Sequence, residues 1–248
     1  MTTTTSTRST RILGLLALAG MGATVGFGLL GTPQDQVQGN LVRLIYLHPP
    51  AAWAAYLAFG VTALASVLYL WPRTRARIWD QLAGASAEIG VVFTAITLAV
   101  GSIWGRPTWG VWWTWDARLT TTALLLALFL GYLALRKVSG DVEVRSKRSA
   151  IAALIAVVDI PIVHMSVVWW RTLHQPPSVL KPDFLHPTIH GSMLYTMLLG
   201  FVAMTLVYAW LLLHRLRVEQ LEELVDEYGL EAAIVERRAE ADPVMVRP

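Results

Sequence analysis

Six stretches of nearly unbroken apolar residues, separated by short polar or charged segments, dominate this chain: Ile12 to Gly31, Pro50 to Trp71, Leu82 to Trp104, Leu119 to Leu135, Ala150 to Trp170 and Gly191 to Leu213. The hydrocarbon core of a bilayer takes about 20 apolar residues per helix. Lipid offers backbone amides no partner, so a spanning segment must pair its own, as a helix does. The pattern predicts an all-α polytopic membrane protein with six transmembrane helices over 12–213. It leaves a disordered N-terminus over 1–11 and a charged tail over 214–248. Arg11 before the first run gives it the look of a signal peptide, but that run exceeds the usual h-region of about 7–15 residues, so it reads as a retained helix. In the tail, Leu221, Leu224, Val225 and Tyr228 follow i, i+3, i+4, i+7 spacing. That is the stripe of a surface helix lying on the bilayer or against a neighbouring turn, or of a helix that docks a partner.

Composition narrows the class. The chain is 55% hydrophobic and 15% charged, where soluble domains carry about 25% charged residues. There is no cysteine. This excludes disulfides, thiolate catalysis, Cys-ligated zinc, iron–sulfur clusters and covalent haem attachment through a Cys-x-x-Cys-His segment of this chain. The net charge is +3, and the basic residues sit in short segments between apolar runs, which argues for membrane topology and against a nucleic-acid partner. One set of alternate segments holds 12 Lys and Arg, among them Arg8, Arg73, Arg136 and Arg215, and the other holds 5: Arg43, Arg106, Arg118, Arg171 and Lys181. The positive-inside rule then puts both termini in the cytoplasm and leaves 32–49, 105–118 and 171–190 outside.

The outside segments carry the candidate chemistry. His48 ends the first and His174 opens the third. Neutral imidazole is a common ligand of haem iron, and a flat apolar macrocycle at the outer surface can receive one His from each side. Taken alone, each His reads equally as a helix cap or a headgroup contact. The middle segment, Trp104-Gly-Arg-Pro-Thr-Trp-Gly-Val-Trp-Trp-Thr-Trp-Asp-Ala-Arg118, changes that balance. Of the 11 tryptophans in the chain, four fall between Trp109 and Trp115. An interfacial belt accounts for two or three such rings. A cluster closed by Asp116 and Arg118 reads better as a platform for a flat ring, with the Arg118 or Arg106 guanidinium matched to propionates.

Trp109-Gly110-x-x-Trp113-x-Trp115-Asp116 resembles the W-G-x-x-W-x-W-D signature of the haem-handling proteins of cytochrome c biogenesis. Tyr46-Leu47-His48, Thr172-Leu173-His174-Gln175 and the six-span length are similar to the cytochrome c maturation protein C branch, over about Arg43 to Leu213. The resemblance implies a protein of the bacterial cytoplasmic (inner) membrane that holds haem (haem b) on its outer, periplasmic face. His48 and His174 would be the axial ligands of the haem iron, and Trp109, Trp113, Trp115 and Asp116 would form the platform. Arg118 and Arg43 are the propionate candidates, with Arg106 and Arg171 behind them. The resemblance further implies transfer of haem to a membrane-anchored haem chaperone, alongside the membrane and ATPase subunits of an ABC transporter and a small single-span membrane protein. The sequence contains no nucleotide-binding motif of its own, so this chain is expected to bind and pass on haem rather than catalyse.

Two other classes stay in view: a cytochrome b-like redox subunit, and the permease of an ABC exporter. The first pairs histidines deep within facing helices, and only His164 is deep here. The second needs larger cytoplasmic coupling segments than this chain carries. His186 and His190 compete with His174 as ligands. Within the spans, Asp159 with Pro161 reads as a functional acid or as a kink with local polar repair, and Glu88 lies close enough to the cytoplasmic end to reach water.

Overall fold

In a computed structural model, described over residues 7–179, 183 and 186–241, the chain forms seven α-helices and a short 3-10 helix, with no β-strand among the described residues. The helices are α1 (Arg8–Leu30), α2 (His48–Leu70), α3 (Arg77–Trp109), α4 (Ala117–Arg136), α5 (Val142–Val157), α6 (Asp159–Trp169) and α7 (Gly191–Ala241). They supply six segments long and apolar enough to cross a membrane, with α5 and α6 together making the fifth.

The helix ends follow local chemistry. Thr7 and Thr10 form a reciprocal capping box, so α1 starts at Arg8 and not at Ile12. The expectation of disorder over 1–11 is therefore corrected for Arg8–Arg11, while its first six residues lie outside the described ones. Pro49 and Pro50 occupy the first turn of α2, where a missing N–H costs nothing. The fifth span breaks at Val158. Pro161 has no N–H to offer the Val157 carbonyl, the position a regular helix would bond.

The core lies where α2 packs along α3 and against α5 and α7, while α1 lies along α7. Small residues allow the close approach: Ala51, Ala54, Ala55 and Ala58 of α2 are buried, as are Ala83 and Ala87 of α3. Phe59 and Phe129 stack with ring centres 3.6 Å apart. Ser86 hydrogen-bonds Tyr208 at 2.8 Å and donates to the Ala58 carbonyl at 2.7 Å.

At the end of the bundle carrying the α3 N-terminus and the α4 C-terminus, charged side chains tie the helices together. Arg136 donates to Asp80 at 2.7 Å and reaches Glu219 at 3.5 Å. Arg215 pairs with Glu219 at 3.0 Å and with Glu88. Glu88 thus faces an arginine and not only water. These pairs lock α7 against α3 and α4. The charged tail expected from residue 214 is, through Ala241, a direct continuation of the sixth span.

Candidate functional site

The other end of the bundle gathers the N-termini of α2, α4 and α7, the C-termini of α3 and α6, and the residues directly after α6. A cavity with about 1240 Å³ of empty space, counting its open mouth, lies there between α2, α3 and α4. His48, Trp109, Trp113, Arg118 and His174 all line it. These residues come from three separate segments of the sequence, and the fold brings them around one cavity.

His48 is the first residue of α2, and its Nδ1 is buried without a hydrogen-bond partner. Its ring lies against α3 at Gly101, where a Cβ would stand 2.9 Å from His48 Cε1 and 3.5 Å from Nδ1. The edge of Trp104 packs on it with ring centres 6.0 Å apart, and the Trp104 indole N–H donates to Gln38 at 2.8 Å. His174 follows α6 and donates from Nδ1 to the Gln175 carbonyl at 2.8 Å. That bond fixes the tautomer that leaves Nε2 with its lone pair. Burial, reinforced by the positive charge of Arg118, holds the His174 pKa below its ordinary value and so favours the neutral, ligating form.

The two imidazoles stand with ring centres 6.1 Å apart and planes tilted by 35°. With a metal–imidazole bond of about 2 Å and roughly 1 Å more from nitrogen to ring centre, one iron shared by two histidines sets the centres about 6 Å apart. Among the described residues no three His, Asp or Glu converge as a bare metal site. A histidine pair alone suits an iron whose other four ligands come from a macrocycle, and the apolar cavity around it suits the macrocycle's faces. These residues fit haem.

The tryptophan segment divides in two. α3 runs on to Trp109 and ends at Gly110, whose φ of 81° is a left-handed cap. Trp109 lies over Gly105, where a Cβ would meet its ring at 2.8 Å, and its ring centre is 6.3 Å from that of His174. Trp113 also lines the cavity, and its indole nitrogen is buried without a partner. Trp115 does not line it. This ring is 78% exposed and packs edge-on against Trp113 at 5.5 Å. Of the platform expected from Trp109, Trp113 and Trp115, Trp109 and Trp113 line the cavity and Trp115 stands outside it.

Asp116 joins two segments. One carboxylate oxygen accepts from Leu119 N at 2.8 Å and caps α4, while the other accepts from Leu173 N at 3.1 Å, one residue before His174. Arg118 turns into the bundle. It donates to Ser166 Oγ at 3.0 Å and to the His164 carbonyl at 2.9 Å, both on α6. Two of its donors are thereby engaged, although it still borders the cavity. Arg43 lies on the 3-10 helix Asn40–Tyr46, reaches the Thr32 carbonyl at 3.5 Å and does not line the cavity. Arg106 is committed to the Gly110 carbonyl at 2.7 Å. His186 is exposed beside Asp183 at 2.7 Å, and neither it nor His190 lines the cavity. His164, on α6, faces Tyr56 with ring centres 6.4 Å apart.

The residues that sequence reasoning missed are Gly101 and Gly105, which make room for His48 and Trp109. Their signal was the spacing Gly-x-x-x-Gly near the end of an apolar run, a pattern that permits close approach in membrane helices.

Fold and site together define a polytopic membrane protein with a histidine-paired, tryptophan-walled cavity at one end of its bundle. The comparisons with known proteins agree with that class. Residues 1–229 match the family model described as heme exporter protein C, and the chain belongs to that family. It is similar to heme exporter protein C of Haemophilus influenzae, at 39% identity over 213 residues, covering 86% of this chain and 85% of the relative. The protein of the same name from Escherichia coli K12 is 39% identical over 193 residues, 77% of this chain and 75% of the relative. A putative cytochrome c biosynthesis ccmC-like mitochondrial protein of Marchantia polymorpha is 40% identical over 171 residues, 69% of this chain and 70% of the relative.

Proposed function

We propose that this chain binds haem (haem b) between His48 and His174 and passes it to a membrane-anchored haem chaperone for cytochrome c maturation. The observation that carries the reading is the 6.1 Å spacing of the two imidazole centres inside the tryptophan-walled cavity. Haem is cargo here, and what the chain supplies is a holding geometry. His48, packed on Gly101, and His174, with its Nδ1 proton engaged by Gln175, present one nitrogen each. Trp109 and Trp113 cover apolar ring surface, and Arg118 adds positive charge beside the histidines. Trp115, exposed at the rim, is the contact offered to the chaperone. The work of ATP hydrolysis belongs to an ABC transporter whose membrane and ATPase subunits, with a small single-span protein, form the partners. The family membership and the absence of a nucleotide-binding motif from this sequence support that assignment. The excess of Lys and Arg on one set of segments supports cytoplasmic termini and a haem site on the outer face of the inner membrane.

The test is spectral. The full-length protein purified in detergent with its haem should show a low-spin, bis-histidine spectrum. His48→Ala and His174→Ala should each lose haem or turn high-spin. An unchanged spectrum in both variants overturns the ligand pair.

A further inference from the structure

A second cavity, with about 690 Å³ of empty space, lies on the far side of the histidine pair, between α2, α7 and the segment after α6. His48 and His174 line both cavities, as do Ala52, Tyr56, Arg118 and Gln175. The gap between the two imidazoles therefore opens in two directions. A macrocycle gripped at its centre by two axial ligands extends beyond them all around in its own plane, so a single cavity on one side does not house it.

We infer that the smaller cavity is the second half of the haem slot and takes the apolar tetrapyrrole edge opposite the tryptophan platform. The inference rests on the haem-binding reading above. Its wall comes from outside the tryptophan segment. Trp53 on α2 is held by a hydrogen bond from its indole N–H to Thr205 at 3.0 Å and by edge contact with Phe201 at 6.2 Å. Met197 on α7 is 1% exposed and packs with Ile45, Phe201 and Val179. Pro176, Pro177 and Ser178 border the cavity directly after His174 and Gln175. The wall is apolar and held from behind, as a surface that grips a rigid ring must be. Affinity for haem is thus set from two sides, and Met197, Phe201 and Ser178 are binding residues that no tryptophan signature marks.

The experiment measures haem per chain and the rate of haem loss to excess apomyoglobin, using the full-length protein in detergent. Met197→Trp and Ser178→Trp fill the smaller cavity and leave both histidines unsubstituted. Each is expected to lose haem at least 10-fold faster than the unsubstituted protein, with its helical circular dichroism unchanged. Phe201→Ala introduces no clash and is expected to speed loss about 3-fold, so it decides the matter should both bulky variants fail to fold. Wild-type haem content and loss rate in Ser178→Trp and Phe201→Ala would overturn the inference. If instead His48→Ala and His174→Ala leave the spectrum unchanged, the haem-binding reading itself fails, and that result is distinct from the first.

Discussion

Replacing Gly101 with alanine should expel haem, although residue 101 itself makes no bond to it. The added Cβ would stand 2.9 Å from His48 Cε1. Carbon atoms in contact settle at about 3.5–4.0 Å, so the imidazole must withdraw by roughly 0.6–1 Å. His48 has little room to do so, since Trp104 meets its ring edge-on and the first turn of α2 carries Pro49 and Pro50. Overpacking of this kind costs about 1–3 kcal/mol. In the proposed site much of that strain falls on the bond from His48 to the iron, because ligation needs the ring in one place. At about 1.4 kcal/mol per factor of ten, haem affinity should fall by roughly 5- to 150-fold. The assay is haem per purified chain, the position of the low-spin Soret band and the rate of haem loss to apomyoglobin. Gly60→Ala is the control, because a Cβ there meets no atom within 4 Å. If Gly101→Ala matches Gly60→Ala in all three measurements, then α3 does not position His48 and the argument is refuted.

Other expectations follow from single contacts. Asp116→Asn can still cap α4 but sets an amide N–H against the Leu173 N–H; with hydrogen bonds to charged groups worth about 1.5–3 kcal/mol, haem loss should quicken by about 10-fold or more, and an unchanged loss rate would remove Asp116 from the site. Trp113→Ala should weaken haem retention by about 2- to 10-fold, from a stacking contact of about 0.5–1.5 kcal/mol. Trp115→Ala, at a ring 78% exposed, should leave haem content alone and reduce covalent loading of the chaperone; equal effects of both variants on haem content would contradict the division of the platform. In the haem-free protein, NMR of ring-labelled His174 should show titration below the ordinary value of about 6.5. Its neutral form then persists to more acid pH than that of a free imidazole. Arg118→Gln should move that midpoint upward, and a midpoint at or above the ordinary value in the unsubstituted protein would refute the role of burial and of Arg118.

Much of the bundle was legible because lipid leaves a spanning chain one way to satisfy its amides. Ile12 to Gly31 and Leu119 to Leu135 became α1 and α4 with shifts of a few residues. The ends were harder to read, because they depend on caps and on neighbours. α3 continues through Pro107 until the left-handed Gly110 stops it, so Trp109 is helical and not part of a loop. α7 passes Leu213 unbroken because Glu88 on α3 pairs with its Arg215 and Arg136 on α4 with its Glu219. Around the cavity, residue type and flanking pattern pointed to His48, His174, Trp109 and Trp113, all of which line it. Arg43 does not line it, since proximity in sequence to His48 says nothing about the 3-10 helix that carries it to Thr32. The inward turn of Arg118 was hidden for a similar reason. Its partners, Ser166 and the His164 carbonyl, belong to a helix almost fifty residues away.

The unbroken run of α7 makes it a stiff rod between the two ends of the molecule. Its 51 residues, at about 1.5 Å each, span roughly 77 Å, more than twice the hydrocarbon thickness of about 30 Å. One end bears Met197 and Phe201 on the wall beside the histidines, and further along the arginine–carboxylate pairs clamp it to α3 and α4. Anything that tilts α7 at its charged end acts on the same rigid element that carries Met197 and Phe201, so the arginine–carboxylate clamp is also what keeps the wall beside His48 and His174 in register.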